Sequence, residues 1–264
     1  MKTFKTILII SSILVIFSAC EKEIDLDLKD SEQLFVIEGI VYDSLGDNFV
    51  SISKTRPFDN NDAIEIVSNA SVQIKDGVGG VFNLTEVYTM PGYYTNSNLI
   101  GVAGRAYELN VNINGEIITA TSFMNPRIEI DSLTYNEDPS FGSNDEVEYS
   151  IICHFTDPLN VINFYRMKSF LGEEQLDGFV NWSDDAIDGA STGLPVFNSS
   201  YTAEEVATIQ LISVDEPNFR YFVGLSSSQE GEVPGNPQSN LSGDNVVGYF
   251  GAYAKSEVSI LIEP

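Results

Sequence analysis

Ala106–Ile113 (AYELNVNI) and Glu116–Phe123 (EIITATSF), joined by Asn114-Gly115, decide the fold class. Tyr107, Leu109, Val111 and Ile113 alternate with other residues at the two-residue period of a half-buried strand. Asn114-Gly115 supplies the pair of positive-φ residues that a two-residue hairpin turn demands. The same grammar extends outward. Leu34–Tyr42, Phe49–Lys54, Ser71–Lys75 and Val81–Val87 read as strands, punctuated by Asp43-Ser44-Leu45-Gly46, Asp76-Gly77, Gly79-Gly80 and Pro91-Gly92 as turns. So many short strands over 34–126 predict a β-sandwich, and Asn125-Pro126 reads as its boundary. Beyond it lie Arg127–Tyr135, Val147–Phe155, Val161–Phe170, Val206–Val214 and Val258–Ile262 as further strands. Asn136–Glu146 and Gly231–Asp244 read as loops. One helix is expected after Asp215 as N-cap, with Pro217 in its first turn and Phe219, Phe222, Val223 and Leu225 at near-helical spacing. The expected fold is mostly β, a sandwich followed over 127–264 by a second β-rich domain with one or two short helices.

The N-terminus is an address. Lys2 and Lys5 precede the apolar run Ile7–Phe17 (ILIISSILVIF), and small Ser18 and Ala19 precede Cys20. That run is about half the ~20 residues a spanning helix needs. Residues 1–19 therefore read as a signal peptide. Phe17-Ser18-Ala19-Cys20 is similar to a bacterial lipobox, in which cleavage exposes a cysteine that receives acyl chains such as palmitate. Such chains bury enough CH₂ for stable membrane attachment. Residues 20–33 follow as a charged tether. Glu21 and Glu23 resemble the surface-export signals of Bacteroidetes lipoproteins, so display outside the outer membrane is favoured over a periplasm-facing body.

Charge narrows the partners. The 264 residues carry 13 Lys+Arg against 39 Asp+Glu, a formal −26. Without the two signal lysines, 11 basic residues face the 39 acids, a charge of −28. Phosphate backbones would be repelled, which excludes nucleic acid. A 43% hydrophobic content with 16 Phe and 12 Tyr excludes a disordered acidic chain.

Chemistry-bearing residues are few. His154 is the single histidine and follows Cys153 on a strand, where neighbours point to opposite faces, so no Cys–His pair or zinc set is expected. Asp59-Asn60-Asn61-Asp62 and the run Asp184, Asp185, Asp188 offer oxygen ligands that calcium could take, although neither has EF-hand spacing. Solvated acidic turns are the simpler expectation, and no other cofactor is indicated. Trp182, the single tryptophan, adjoins the second run; it reads first as a core side chain and alternatively as a stacking platform for a sugar. There is no Gly-x-Ser-x-Gly elbow, phosphate loop or dinucleotide fingerprint.

Ordered landmarks carry a resemblance. Val36, Gly39, Val41 and Asp43, then Asn69-Ala70, Val72, Ile74 and Asp76, Gly92-Tyr93-Tyr94, and Gly104, Tyr107, Leu109 and Val111 are similar to prealbumin-like, carboxypeptidase-regulatory-type sandwiches with an Ig-like arrangement. With the lipobox, Ser183-Asp184-Asp185, Ser213-Val214-Asp215 and Gly248-Tyr249-Phe250-Gly251, the chain resembles the DUF4249 family of Bacteroidetes lipoproteins. The resemblance implies an accessory role beside a TonB-dependent outer-membrane receptor and offers no catalytic residues. The expected function is therefore a non-enzymatic outer-membrane lipoprotein, lipidated at Cys20, that partners such a receptor in nutrient capture or uptake. A free-standing glycan- or peptide-binding surface lipoprotein is the alternative, and a carboxylate-dependent hydrolase the least favoured.

Overall fold

The Ala106–Phe123 hairpin forms as its sequence dictates. Its strands pair from Ala106↔Phe123 to Ile113↔Glu116, and Asn114 and Gly115 both adopt positive φ, 53° and 97°. The computed structural model describes residues 33–56, 63–137, 147–229 and 237–263. The signal peptide, Cys20, the tether to residue 32, Asp59–Asp62, most of the Asn136–Glu146 loop and the start of the Gly231–Asp244 loop lie outside the described residues. Gln33–Pro264 makes one compact unit.

Strands dominate the unit, so the chain is mostly β. In chain order they are β1 Phe35–Tyr42, β2 Phe49–Lys54, β3 Ser71–Asp76, β4 Val81–Val87, β5 Met90–Thr95, β6 Ala106–Ile113, β7 Glu116–Phe123, β8 Ile130–Glu137 and β9 Tyr149–Thr156. There follow β10 Phe164–Leu171, β11 Glu174–Ser183, β12 Ser191–Tyr201, β13 Val206–Val214, α1 Glu216–Gln229, β14 Leu241–Ser242 and β15 Val246–Leu261. Twelve strands form one sheet in the order β11-β10-β13-β15-β1-β2-β5-β4-β3-β6-β7-β14, and β12-β9-β8 form a second. β1 and β15 run parallel, from Phe35↔Val246 to Tyr42↔Tyr253.

Three apolar clusters hold these layers together. The first gathers Ile37, Ile52, Ile74, Leu109, Val111 and Ile118 with Phe250, Ala252 and Ala254. It fills the space made as the large sheet curls, bringing the Ser122 hydroxyl of β7 to the Ala252 amide of β15 at 2.9 Å. The second lies between β10–β13 and the three-stranded sheet, and includes Ile151, Cys153, Phe155, Tyr165, Met167 and Ile209. The third, with Ile40, Tyr42, Ile212, Val214, Phe222 and Tyr253, is covered by α1. Each fully buried Ile, Val or Phe contributes about 1.5–3 kcal/mol. Thus β15 supplies side chains to the core of the N-terminal strands as well as pairing with β13.

Several elements differ from the sequence reading. Pro91-Gly92 belongs to β5, and the turn before it is Tyr88-Thr89. β15 begins twelve residues before the expected Val258, because Gly248, Gly251 and the alanines look unlike a strand yet permit close strand approach. Gly248 sits at φ 114°, and a Cβ there would lie 2.0 Å from the Ile37 carbonyl oxygen. β12 tolerates Pro195 because it is an edge strand. The helix matches its signals: Asp215 Oδ1 accepts from the Asn218 amide at 3.2 Å, and the Phe219 amide donates to the Asp215 carbonyl at 2.9 Å.

Candidate functional site

The feature with most chemical potential is assembled where two loops leave the second core cluster. β9 ends at Thr156, and Asp157 begins the connection to β10. β11 ends at Ser183, and a single 3₁₀ turn over Asp184–Ala186 begins the connection to β12. The Asp157 amide donates to the Ala190 carbonyl at 3.0 Å and the Asp184 amide to the Asn163 carbonyl at 3.2 Å, which laces the loops together. One carboxylate oxygen from each of Asp157, Asp184 and Asp188 then falls within 4.8 Å of the others.

Asp157 and Asp184 are only 1% and 6% exposed, whereas Asp188 faces solvent. Buried carboxylates need donors, and each has them. Asp157 accepts from the Tyr165 hydroxyl and from the Gly189 amide at 3.1 Å. Asp184 accepts from the Asn163 amide at 2.8 Å, and Asp188 from the Asn160 amide at 2.7 Å. Burial, then the Asp157 carboxylate, push the Tyr165 phenol well above its usual range, so it stays a donor. No lysine or arginine ion-pairs with the three acids among the described residues. The set offers hard oxygens, the donor class calcium takes, and falls short of the six to eight that ion requires without further oxygens from the loops or water.

The sequence reading named Asp184, Asp185 and Asp188. The structure brings the first and third together, but Asp185 turns away and accepts from Ser183 Oγ at 2.8 Å. Asp157, the most deeply buried member, was missed. It lies far from the acidic run in sequence, and only the pairing of β9 with β12 brings it there.

Trp182 is half-buried against the second core cluster, its ring stacked on Phe197 at 6.2 Å. Cys153 is buried in the same cluster, and burial pushes its thiol up to about 12, with the Asp131 charge adding to the effect. His154 points to the other face, with Nε2 2.8 Å from the Thr134 hydroxyl. Glycine at 193 leaves room for that ring, since a Cβ there would lie 2.6 Å from it.

A sequence model of the family described as "Domain of unknown function (DUF4249)" matches residues 21–259. The chain belongs to the DUF4249 family. No curated protein matches it. Among solved structures, a chain of "Cytokine receptor complex - Crystal form 1A" aligns with 85% of this DUF4249 chain and 95% of its own length, at 10% identity and a TM-score of 0.28. At that score the likeness carries no argument about this DUF4249 member.

Proposed function

We propose that this DUF4249 chain is a non-enzymatic Bacteroidetes outer-membrane lipoprotein whose body serves a TonB-dependent receptor in nutrient capture or uptake. The observation behind this reading is the order of parts along the chain. A cysteine in lipobox context at position 20 and a charged stretch precede a compact β unit that starts at Gln33. Acyl chains on Cys20 supply attachment, because a body with 39 acids cannot adhere to an anionic leaflet through basic patches. In this reading residues 34–126 are the prealbumin-like, Ig-like part and 127–264 the second β-rich part, and the body faces outward from the cell.

Loops supply the contact surface for the receptor. The β9–β10 connection exposes Leu159 and Ile162 beside the carboxylate cluster, and an exposed apolar tip on an otherwise acidic body suits a protein partner. The test is affinity capture of the full chain, tagged at its C-terminus, from detergent-solubilised outer membrane. Co-recovery of a receptor barrel supports the proposal. Repeated recovery of the lipoprotein alone counts against it.

A further inference from the structure

The chain enters the compact unit at Gln33, and four exposed apolar side chains stand at that end of the fold. Strand pairing lays the end out. The Leu34 amide donates to Thr55 Oγ1 at 3.0 Å and the Thr55 amide to the Leu34 carbonyl at 2.9 Å, so β2 finishes beside the entry. The segment around Ile66 comes next, with the Lys54 amide on the Glu65 carbonyl at 2.9 Å and the Val67 amide on the Ile52 carbonyl at 3.1 Å. β5 starts beside that segment, since a Cβ on Gly92 would lie 2.5 Å from Ile66 Cγ2. Val87 pairs with Met90 across the β4–β5 turn, which carries Tyr88 onto the same end.

Ile64, Ile66 and Met90 are each about half exposed, and Tyr88 is 98% exposed. None of the four belongs to a core cluster. Two acids beside them are engaged: Glu65 ion-pairs with Lys54 at 2.7 Å, and Glu86 accepts from the Asn69 amide at 2.9 Å and the Gly92 amide at 2.7 Å. A patch of this kind marks contact with a protein or a membrane.

The chain outside the unit decides between them. Gln33 lies thirteen residues from Cys20. A flexible segment of that length averages about 20 Å from end to end and reaches about 45 Å at most. β15 alone, from Val246 beside Phe35 to Leu261, extends about 50 Å. An anchor at Cys20 therefore holds the entry end of the body, and not the far end of β15, close to the bilayer. The linkage presents lipid to that end at an effective concentration in the millimolar range, so a patch too small to bind alone can stay seated. Tyrosine is enriched at the headgroup boundary, and isoleucine and methionine supply the apolar contact beneath it.

We propose that Ile64, Ile66, Tyr88 and Met90 form a bilayer-contact end, which seats the body on the membrane that anchors it and points the far end of β15 away from the lipid. The proposal rests on the reading of Cys20 as the anchor and deepens it by fixing how the body stands.

The test supplies the anchor chemically, so that seat and anchor are judged apart. The full mature chain from Cys20 is coupled through that thiol to a maleimide lipid in phosphatidylcholine vesicles. Cys153 does not compete, being buried with its thiol pushed up to about 12. Tyr88→Trp is the reporter, and Leu261→Trp, at the half-exposed far end of β15, is its control. Brominated acyl chains, which quench tryptophan only at close range, extinguish most of the emission added by Tyr88→Trp and leave Leu261→Trp and the wild-type Trp182 signal unchanged. Adding Ile64→Ser and Met90→Ser to the reporter restores most of the lost emission. Unquenched emission from Tyr88→Trp on these protein-free vesicles would overturn the proposal and leave this end to a protein partner. Equal quenching of Tyr88→Trp and Leu261→Trp would overturn it as adsorption without orientation. Quenching undiminished by the two serines would overturn it as an effect of the tether alone. An unacylated Cys20 in the native protein refutes the anchor reading instead, and is read from the mass of the N-terminal peptide.

Discussion

Replacing Asp215 with alanine removes the acceptor at the centre of a buried network that joins β7, β13, α1 and β15. Asp215 Oδ2 accepts from the Ser122 hydroxyl at 2.7 Å and from the Phe123 amide at 3.1 Å. Its Oδ1 accepts from the Asn218 side chain at 2.6 Å and from the Asn218 amide at 3.2 Å. One of the four donors keeps another bond, because Asn218 Nδ2 also reaches the Phe250 carbonyl at 3.0 Å; Ser122 Oγ accepts from the Ala252 amide, which leaves its own hydroxyl proton unpaired. The Ser122 hydroxyl and the amides of Phe123 and Asn218 are left without an acceptor. Loss of the Asn218 amide bond, which is the helix cap, costs about 1 kcal/mol, and stranding the Phe123 amide and the Ser122 hydroxyl costs about 1–3 kcal/mol each. The expected loss is about 3–7 kcal/mol, read as a lower urea midpoint at unchanged slope. The control is Asp185→Ala, whose carboxylate bonds only an exposed serine and which should cost under about 0.5 kcal/mol. A loss below about 1 kcal/mol for Asp215→Ala would refute the view that this network ties the helix and β7 to β15.

Asp188→Asn, measured in a chelator, should raise stability by about 0.5–1 kcal/mol by removing one of three like charges within 4.8 Å. A loss above about 1 kcal/mol would mean that the Asn160 bond outweighs the repulsion. Alkaline titration should be biphasic. Burial, then repulsion from Arg166 and Lys255, lowers Lys168 from 10.5 to about 8 on folding, so the unfolded chain binds more protons between those values and stability rises with pH there. Folding raises Cys153 from 9.0 and Tyr42 from 10.0, each to about 12, so their contribution is intact below pH 9 and falls away as pH climbs towards 12. Denaturation midpoints from pH 7 to 12 check both limbs; a profile without the rise in wild type, or with it in Lys168→Met, would contradict the first assignment. Trp182→Ala should cost about 2–4 kcal/mol by opening space beside Phe197, and a neutral result would return Trp182 to the surface as a stacking platform.

Local signals were legible where one residue pair fixes the backbone. Asn114-Gly115 gave the β6–β7 turn, and Asp215 with Pro217 gave the start of α1. Val206–Val214 reads as a strand at the bounds it adopts, because its β-branched and aliphatic residues run on without a glycine, proline or other turn former. Elements whose residues are chosen for a neighbour were harder to see. Gly248 and Gly251 admit close contacts that no local pattern announces, and neither β11 nor β12 was among the expected strands, Pro195 being at home in a strand only at an edge. The site followed the same rule. Asp184 and Asp188 stood together in sequence, but Asp157 reaches them only through long-range pairing, and Asp185, adjacent to Asp184, faces away. The end around Tyr88 was illegible for the same reason, since Ile66 meets Gly92 only through the fold.

The receptor proposal depends on the modification of Cys20, and intact mass analysis of the N-terminal peptide from the native envelope tests it most directly. The account predicts a chain that begins at Cys20 and carries several acyl chains. A chain that keeps residues 1–19, or one that begins at an unmodified Cys20, would contradict it.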